Sequence, residues 1–260
     1  MNGRNPLWTF SGVRQAAWLF FAFLYIPILV LVVLSFNSGQ SATLWESFSL
    51  KWYAVVANDP EILRAAKNSL LVATLATLAS TVLATLAALG MRGRAFRGQT
   101  LMNGVLGLPL LVPEIVTAVA TLMFFSFIGL KLSLFTILIA HIVFCIPFAY
   151  LPIRARLEGL DPRLAEAAAD LYASPWKAFW KITLPLLMPG VLSGAMLAFI
   201  ISMDDFVITY FVAGATTLPV YIFSSIRMGI SPKINAISSI ILMISIAFVA
   251  LSYYLGQRRR

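Results

Sequence analysis

Six stretches of this chain are apolar for long enough to cross a lipid bilayer: Ala17–Phe36, Asn68–Gly90, Met102–Phe127, Leu132–Tyr150, Met188–Val212 and Ile234–Gly256. A helix needs about 20 such residues to traverse the hydrocarbon layer. Inside that layer no water satisfies the backbone, so each stretch must make its own hydrogen bonds, and a helix does so. The composition agrees, with 60% hydrophobic and 11% charged residues, where about a quarter charged is usual for a soluble domain. The expected fold is therefore an all-α polytopic membrane protein with six transmembrane helices in a single membrane domain over residues 1–260. Ile128–Lys131 reads as a tight hairpin that would leave the third and fourth spans as antiparallel neighbours. Leu218–Ile230 is apolar but too short to span, and reads as a re-entrant or interfacial segment on the outer side.

The net charge of +9 invites a nucleic-acid partner, but the positions of the cations argue for topology instead. Thirteen of them (Arg4, Arg14, Arg92, Arg94, Arg97, Arg154, Arg156, Arg163, Lys177, Lys181 and Arg258 to Arg260) lie at the two ends or in the loops Met91–Leu101 and Leu151–Leu187. Six (Lys51, Arg64, Lys67, Lys131, Arg227 and Lys233) lie in the alternate loops. The positive-inside rule then places both termini and the long charged loop in the cytoplasm. The first apolar run is too long for a signal-peptide core, and no clear A-x-A site follows it, so it reads as a first span. Cys145, the single cysteine, excludes a disulfide framework and any multi-cysteine metal site.

One charged segment interrupts this apolar chain, the twenty residues from Glu166 to Pro185. Its capping chemistry predicts two short helices. Asp161-Pro162 sets an N-cap acceptor before a proline at the first helical position, and Ser174-Pro175 repeats the device. Between them, Arg163 to Leu171 is alanine-rich and strongly helix-favouring. Tyr172-Ala173 forms the joint, and Pro185 and Pro189 are expected to limit the second helix's continuation into the next span.

The spacing of Glu-Ala-Ala, a turn and Ile182-x-Leu184-Pro185 resembles the EAA coupling loop of ATP-binding-cassette (ABC) import permeases. That resemblance implies the type I importer permease fold, with the loop (about 151–187) docking a cytoplasmic ATPase. By carry-over, Glu166, Ala167, Ala168 and Asp170 are docking residues. Where the family usually has glycine this chain has Tyr172, and a left-handed backbone there would cost a bulky residue about 1–2 kcal/mol.

Three carboxylates fall inside the expected spans: Glu114, Asp204 and Asp205. Charges at such depth are expensive and mark functional sites by default. No lysine or arginine in the spans answers them, so a cationic substrate is expected rather than an anion. Asp205 shares a helical face with Ser202 and Thr209, whereas Asp204 is rotated about 100° from it. Helix–helix hydrogen bonding is the competing role for both aspartates, and capping of a helix broken at Pro113 is the competing role for Glu114. Trp52, in Lys51-Trp-Tyr53 of the first outer loop, reads either as an interface anchor or as an aromatic face for an amine at the entrance. His141 and Cys145 stand one turn apart, but two ligands make no metal site, and helix packing explains them. Gly190, Gly194, Ala198 and Ser202 place small residues at every fourth position, which suits close helix contact.

Pro113-Glu-Ile-Val116, His141-Ile-Val-Phe-Cys-Ile-Pro147, Ser202-Met-Asp-Asp205 and Ser231-Pro-Lys-Ile-Asn-Ala236 resemble the spermidine/putrescine permeases, specifically their second membrane subunit. Tyr25-Ile-Pro-Ile28 and Ser35-Phe-Asn37 extend the likeness over nearly the whole chain. The resemblance implies a bacterial inner-membrane importer with a second permease subunit, two copies of an ATPase and a periplasmic polyamine-binding protein. The chain has no phosphate-binding G-x-x-x-x-G-K-[ST] pattern, so ATP hydrolysis belongs to a partner and the chain itself is not expected to be an enzyme. No cofactor is expected. Two alternatives stay open: a permease for another small cation or amino-acid-like solute, and an ATP-independent channel or carrier.

Overall fold

The structure is a computed structural model that describes residues 12–92, 96–161, 163–229 and 231–257. Arg4, Arg94, Pro162, Ile230 and Arg258 to Arg260, which entered the charge count, a cap or an apolar run, lie outside the described residues. In chain order the helices are α1 (Val13–Leu34), α2 (Lys51–Asn58), α3 (Pro60–Gly90), α4 (Gln99–Leu111), α5 (Glu114–Phe127), α6 (Leu134–Glu158), α7 (Arg163–Asp170) and α8 (Pro175–Ala178). A π-helical turn (Phe179–Thr183) leads into α9 (Leu184–Asp204), followed by α10 (Val207–Val212), α11 (Leu218–Met228) and α12 (Pro232–Gln257). Among the described residues the fold is all-α, apart from one isolated antiparallel bridge between Asn37 and Phe48.

Among the described residues, four helical runs are long and apolar enough to cross a membrane: α1, α3, α6 and the continuous run Pro175–Asp204. The third expected span is not one helix. It breaks into α4 and α5, which meet at 112°. Pro113 causes this, because its ring drives Val112 into extended geometry (ψ 132°) and it has no N–H to continue α4. The fifth expected span also ends early, at Asp204, and α10 is a separate short helix. At that break Asp205 is extended (ψ 121°), and its carboxylate accepts the backbone N–H groups of Ile208 and Thr209. A local acceptor of this kind competes with helix continuation.

Pro185 and Pro189 do not separate α8 from the next span, contrary to expectation. The π turn ends two residues before Pro185 and widens the backbone where the proline ring would otherwise strike the carbonyl four residues back. The main neighbour of α5 is α10, not α6 as the hairpin suggested; Val72, Ala118, Phe125, Ile137, Phe144 and Ile208 share that core.

The chain forms two compact units, Met1–Leu63 with Ile222–Arg260, and Arg64–Tyr221. In the first, Asn37 is fully buried and pins the loop after α1. Its amide donates to the carbonyls of Ser41 and Leu44, and its oxygen accepts from the Glu46 N–H. Asn235 of α12 donates to the Ala42 carbonyl, and Lys233 pairs with Asp59 at 2.6 Å. That hydrogen bond holds the Asp59 carboxyl below its usual range.

In the second unit α6 and α9 make the largest helix contact. The small-residue stripe forms it as expected, with Gly190, Gly194, Ala198 and Ser202 all buried. A Cβ at Gly194 would stand 2.5 Å from the Ala149 carbonyl oxygen, so only glycine permits this approach. Arg156 secures the end of α6 by donating from Nε to the Leu186 carbonyl at 2.9 Å.

Candidate functional site

The two helix breaks of the second unit place their carboxylates together. Glu114 opens α5, Asp204 ends α9 and Asp205 precedes α10. Glu114 lies against Asp205 and within electrostatic reach of Asp204. Each break sets the N–H groups of one helix start near the carbonyls of one helix end, so the region offers partial charges of both signs, and at α10 Asp205 itself takes up the Ile208 and Thr209 N–H groups.

Asp205 is 7% exposed and surrounded by donors. Its Oδ1 accepts from Ile208 N–H at 3.2 Å. Its Oδ2 accepts from Thr209 N–H at 2.9 Å and from the Thr209 hydroxyl at 2.8 Å. His141 Nε2 stands 3.0 Å from the same oxygen. The Thr209 hydroxyl has one proton, given to Asp205, so at 2.8 Å it accepts from His141 Nε2. This fixes a proton on Nε2. Nδ1 then faces the Ser202 hydroxyl at 2.8 Å.

Ser202, Asp205 and Thr209 thus come together as expected, but through the break and not on one continuous helical face. His141 is the partner that sequence reasoning assigned only to helix packing. It lies 61 to 68 residues from Ser202 and Thr209, and no spacing signal links such distant positions. Cys145 donates to the Ala198 carbonyl at 3.6 Å and is fully buried, a packing role. No cluster of three or more His, Cys, Asp or Glu suited to a metal ion occurs among the described residues.

A cavity of about 430 Å³ opens instead at the C-terminal end of α6, lined by residues including Arg92, Asn103, Tyr150, Arg154 and Glu158. None of the three acids lines it. Their chemistry, not enclosed volume, makes them the candidate site. Trp52 belongs to the first unit. It is 9% exposed, donates from Nε1 to the Gly39 carbonyl at 3.2 Å and carries Lys51 over its ring at 5.0 Å. Its ring is packed within α2 and the preceding loop.

The charged segment folds as its caps predict. Asp161 accepts from Arg163 N–H, and Ser174 accepts from Lys177 N–H. Between the helices Tyr172 has φ 55°, the left-handed geometry expected for the joint. Glu166, Ala167 and Asp170 are exposed and Tyr172 is 99% exposed, whereas Ala168 is 4% exposed and turned into this chain. Ala168 is thus set apart from the other four coupling candidates. Leu171 (82% exposed) and Trp176 (70% exposed) add apolar surface beside them.

Comparison with known proteins accords with this architecture. Solved structures with similar folds include a bacterial ABC transporter importing the acidic polysaccharide alginate, at TM-score 0.68 and 18% identity over 96% of this chain and 98% of that one. The MetNI methionine ABC transporter matches at TM-score 0.62 and 16% identity, over 76% and 94% of the two chains. In sequence, the spermidine/putrescine transport system permease protein PotC of Escherichia coli (strain K12) is 38% identical over 91% of this chain and 90% of its own length. The putrescine transport system permease protein PotI of the same strain is 41% identical over 85% and 82%. Residues 80–260 match the model for the binding-protein-dependent transport system inner membrane component. Match and fold agree, and the chain belongs to the family of inner membrane components of binding-protein-dependent transport systems.

Proposed function

We propose that this chain is a permease subunit of a bacterial polyamine importer, of the second-permease type, carrying putrescine or spermidine across the inner membrane by alternating access. The single observation that carries the cationic substrate is the meeting of Glu114, Asp204 and Asp205 at two helix breaks. Among the described residues no lysine or arginine pairs with them, and His141 lies against Asp205 alone. The similarity to PotC and PotI supports a polyamine over other cations.

In this reading the six spans are α1, α3, the broken pair α4–α5, α6, the run ending in α9, and α12. Both termini and α7–α8 face the cytoplasm. The exposed Glu166, Ala167, Asp170 and Tyr172 present the coupling surface to an ATPase, while Ala168 seats the helix against its own subunit. A second permease subunit completes the path, two ATPase copies supply the work, and a periplasmic binding protein delivers the amine. ATPase closure moves α7 and α8. The continuous helical run from Pro175 to Asp204 then transmits that movement to the acids at its far end, since no loop interrupts it.

The test is uptake of a radiolabelled panel of polyamines, amino acids and inorganic cations by the assembled complex in proteoliposomes. ATP-dependent uptake of putrescine or spermidine is the expected result. Uptake confined to another solute class would overturn the substrate, and uptake without ATP would overturn the importer mechanism.

A further inference from the structure

Three carboxylates share the candidate site, but their surroundings divide them. Asp205 already accepts from two backbone N–H groups and the Thr209 hydroxyl of its own subunit, and the His141 Nε2–H that Thr209 shares stands 3.0 Å away. A carboxylate offers about four lone-pair positions, so little of Asp205 is left for a substrate. These contacts have another effect. Two of them close the first turn of α10, and His141 ties that turn to α6, while Ser202 ties the same imidazole to α9. The Asp205–His141 pair therefore clamps three helices at the break.

Asp204 is the opposite case. It is the last residue of α9 and is exposed. Among the described residues its carboxylate has no hydrogen bond and no cation partner. An exposed carboxylate this deep in an apolar run does not face lipid tails; it faces water or a neighbouring subunit. Glu114, partly buried, lies against Asp205 and stands close enough to Asp204 for their charges to interact.

We propose that Asp205 is a positioning residue, locked with His141 to hold the α9–α10 break, and that Asp204 and Glu114 are the two carboxylates a substrate ammonium meets. This rests on the reading of the chain as a polyamine permease. A primary ammonium has three N–H donors, and two carboxylates on adjoining helix ends accept them while Asp205 keeps its backbone N–H and Thr209 donors. The sequence alone favours the reverse assignment, because Asp205 shares the polar face of Ser202 and Thr209.

The experiment uses the complete permease–ATPase complex and three measurements: equilibrium binding of radiolabelled putrescine and spermidine without the binding protein, maximal ATP-driven uptake with it, and melting temperature. Asp204→Asn and Glu114→Gln each weaken amine binding by about tenfold or more, the loss of one hydrogen bond to a charged group, with melting temperature unchanged. Asp205→Asn and His141→Gln lower melting temperature and maximal uptake, while the dissociation constant of the correctly folded fraction stays within about twofold of wild type. If Asp205→Asn weakens amine binding as much as Asp204→Asn at unchanged melting temperature, the division of roles is overturned. Normal binding in both Asp204→Asn and Glu114→Gln also overturns it. If the wild-type complex binds and transports no polyamine, the functional reading fails. The clamp is then judged on melting temperature, where equal effects at Asp204 and Asp205 would reject it.

Discussion

The backbone N–H of Ala173 donates to the carbonyl of Ala168 at 3.0 Å, and that of Tyr172 donates to Ala169 at 2.9 Å. These two bonds are the Schellman pattern that ends a helix with a left-handed residue, here Tyr172 at φ 55°. Glycine adopts this geometry without steric cost. The Tyr172 side chain is 99% exposed and contributes almost no burial in this chain. Tyr172→Gly should therefore stabilise the subunit by up to about 1 kcal/mol, the relief of left-handed strain less glycine's entropy in the unfolded chain. Tyr172→Val, β-branched, should destabilise it. Melting temperatures of the purified subunit check both; a clear loss of stability on Tyr172→Gly would mean that the ring itself supports the joint.

Close approach of α6 and α9 depends on Gly194. Adding a methyl group there puts carbon 2.5 Å from a backbone oxygen of Ala149, and a backbone carbonyl inside a helix cannot swing aside. Gly194→Ala should cost about 1–3 kcal/mol, the usual penalty of overpacking. A thermal shift in detergent measures it, and a neutral result would show that the two helices separate more readily than their packing indicates.

Asp59 and Lys233 predict a pH dependence with a definite sign. The hydrogen bond from Lys233 holds the Asp59 carboxyl below its ordinary value, which is about 3.9. A carboxyl depressed in the folded state contributes stability that is fully present above that ordinary value. The contribution is lost as pH falls toward the lower folded-state value. Asp59→Asn should therefore reduce melting temperature at neutral pH, and the gap from wild type should narrow steadily below about pH 4. A gap that persists unchanged into acid would assign the effect to the cap that Asp59 provides for Glu61 N–H, not to the ion pair.

What was legible in the sequence was local. Asp161 and Ser174 announce their helices because a cap acts within three residues, and Gly190, Gly194 and Ala198 announce a contact because small residues recur on one face. Tyr172 was readable because a single position fixes the joint. The 112° turn between α4 and α5 was not, since an apolar run carries the same hydropathy whether straight or folded, and Pro113 alone does not set an angle. The end of α9 was missed for a related reason. Asp205 stops the helix by capping residues ahead of it, and that choice depends on His141, far away in sequence. Pro185 misled in the other direction, because a π turn absorbs the clash that normally ends a helix.

Glu166 is exposed in the first turn pair of α7, and no side-chain contact within the described residues explains a carboxylate there. Glu166→Ala removes a favourable charge near a helix start, about 0.3–1 kcal/mol, and adds the strongest helix former. The two nearly cancel, so the fold should not suffer: melting temperature of the isolated subunit should stay within about 0.5 kcal/mol of wild type, as for ordinary surface changes. Loss of the proposed coupling contact should appear elsewhere. Retention of the ATPase through purification should drop, and polyamine uptake at matched expression should fall about tenfold or more, equivalent to losing about 1.4 kcal/mol of docking energy. Ala168→Leu makes the complementary test, because Ala168 faces inward at 4% exposure: it should lower melting temperature first and docking only as a consequence. An unchanged ATPase content together with full uptake in Glu166→Ala would remove this glutamate from the coupling surface and leave α7 as a structural loop.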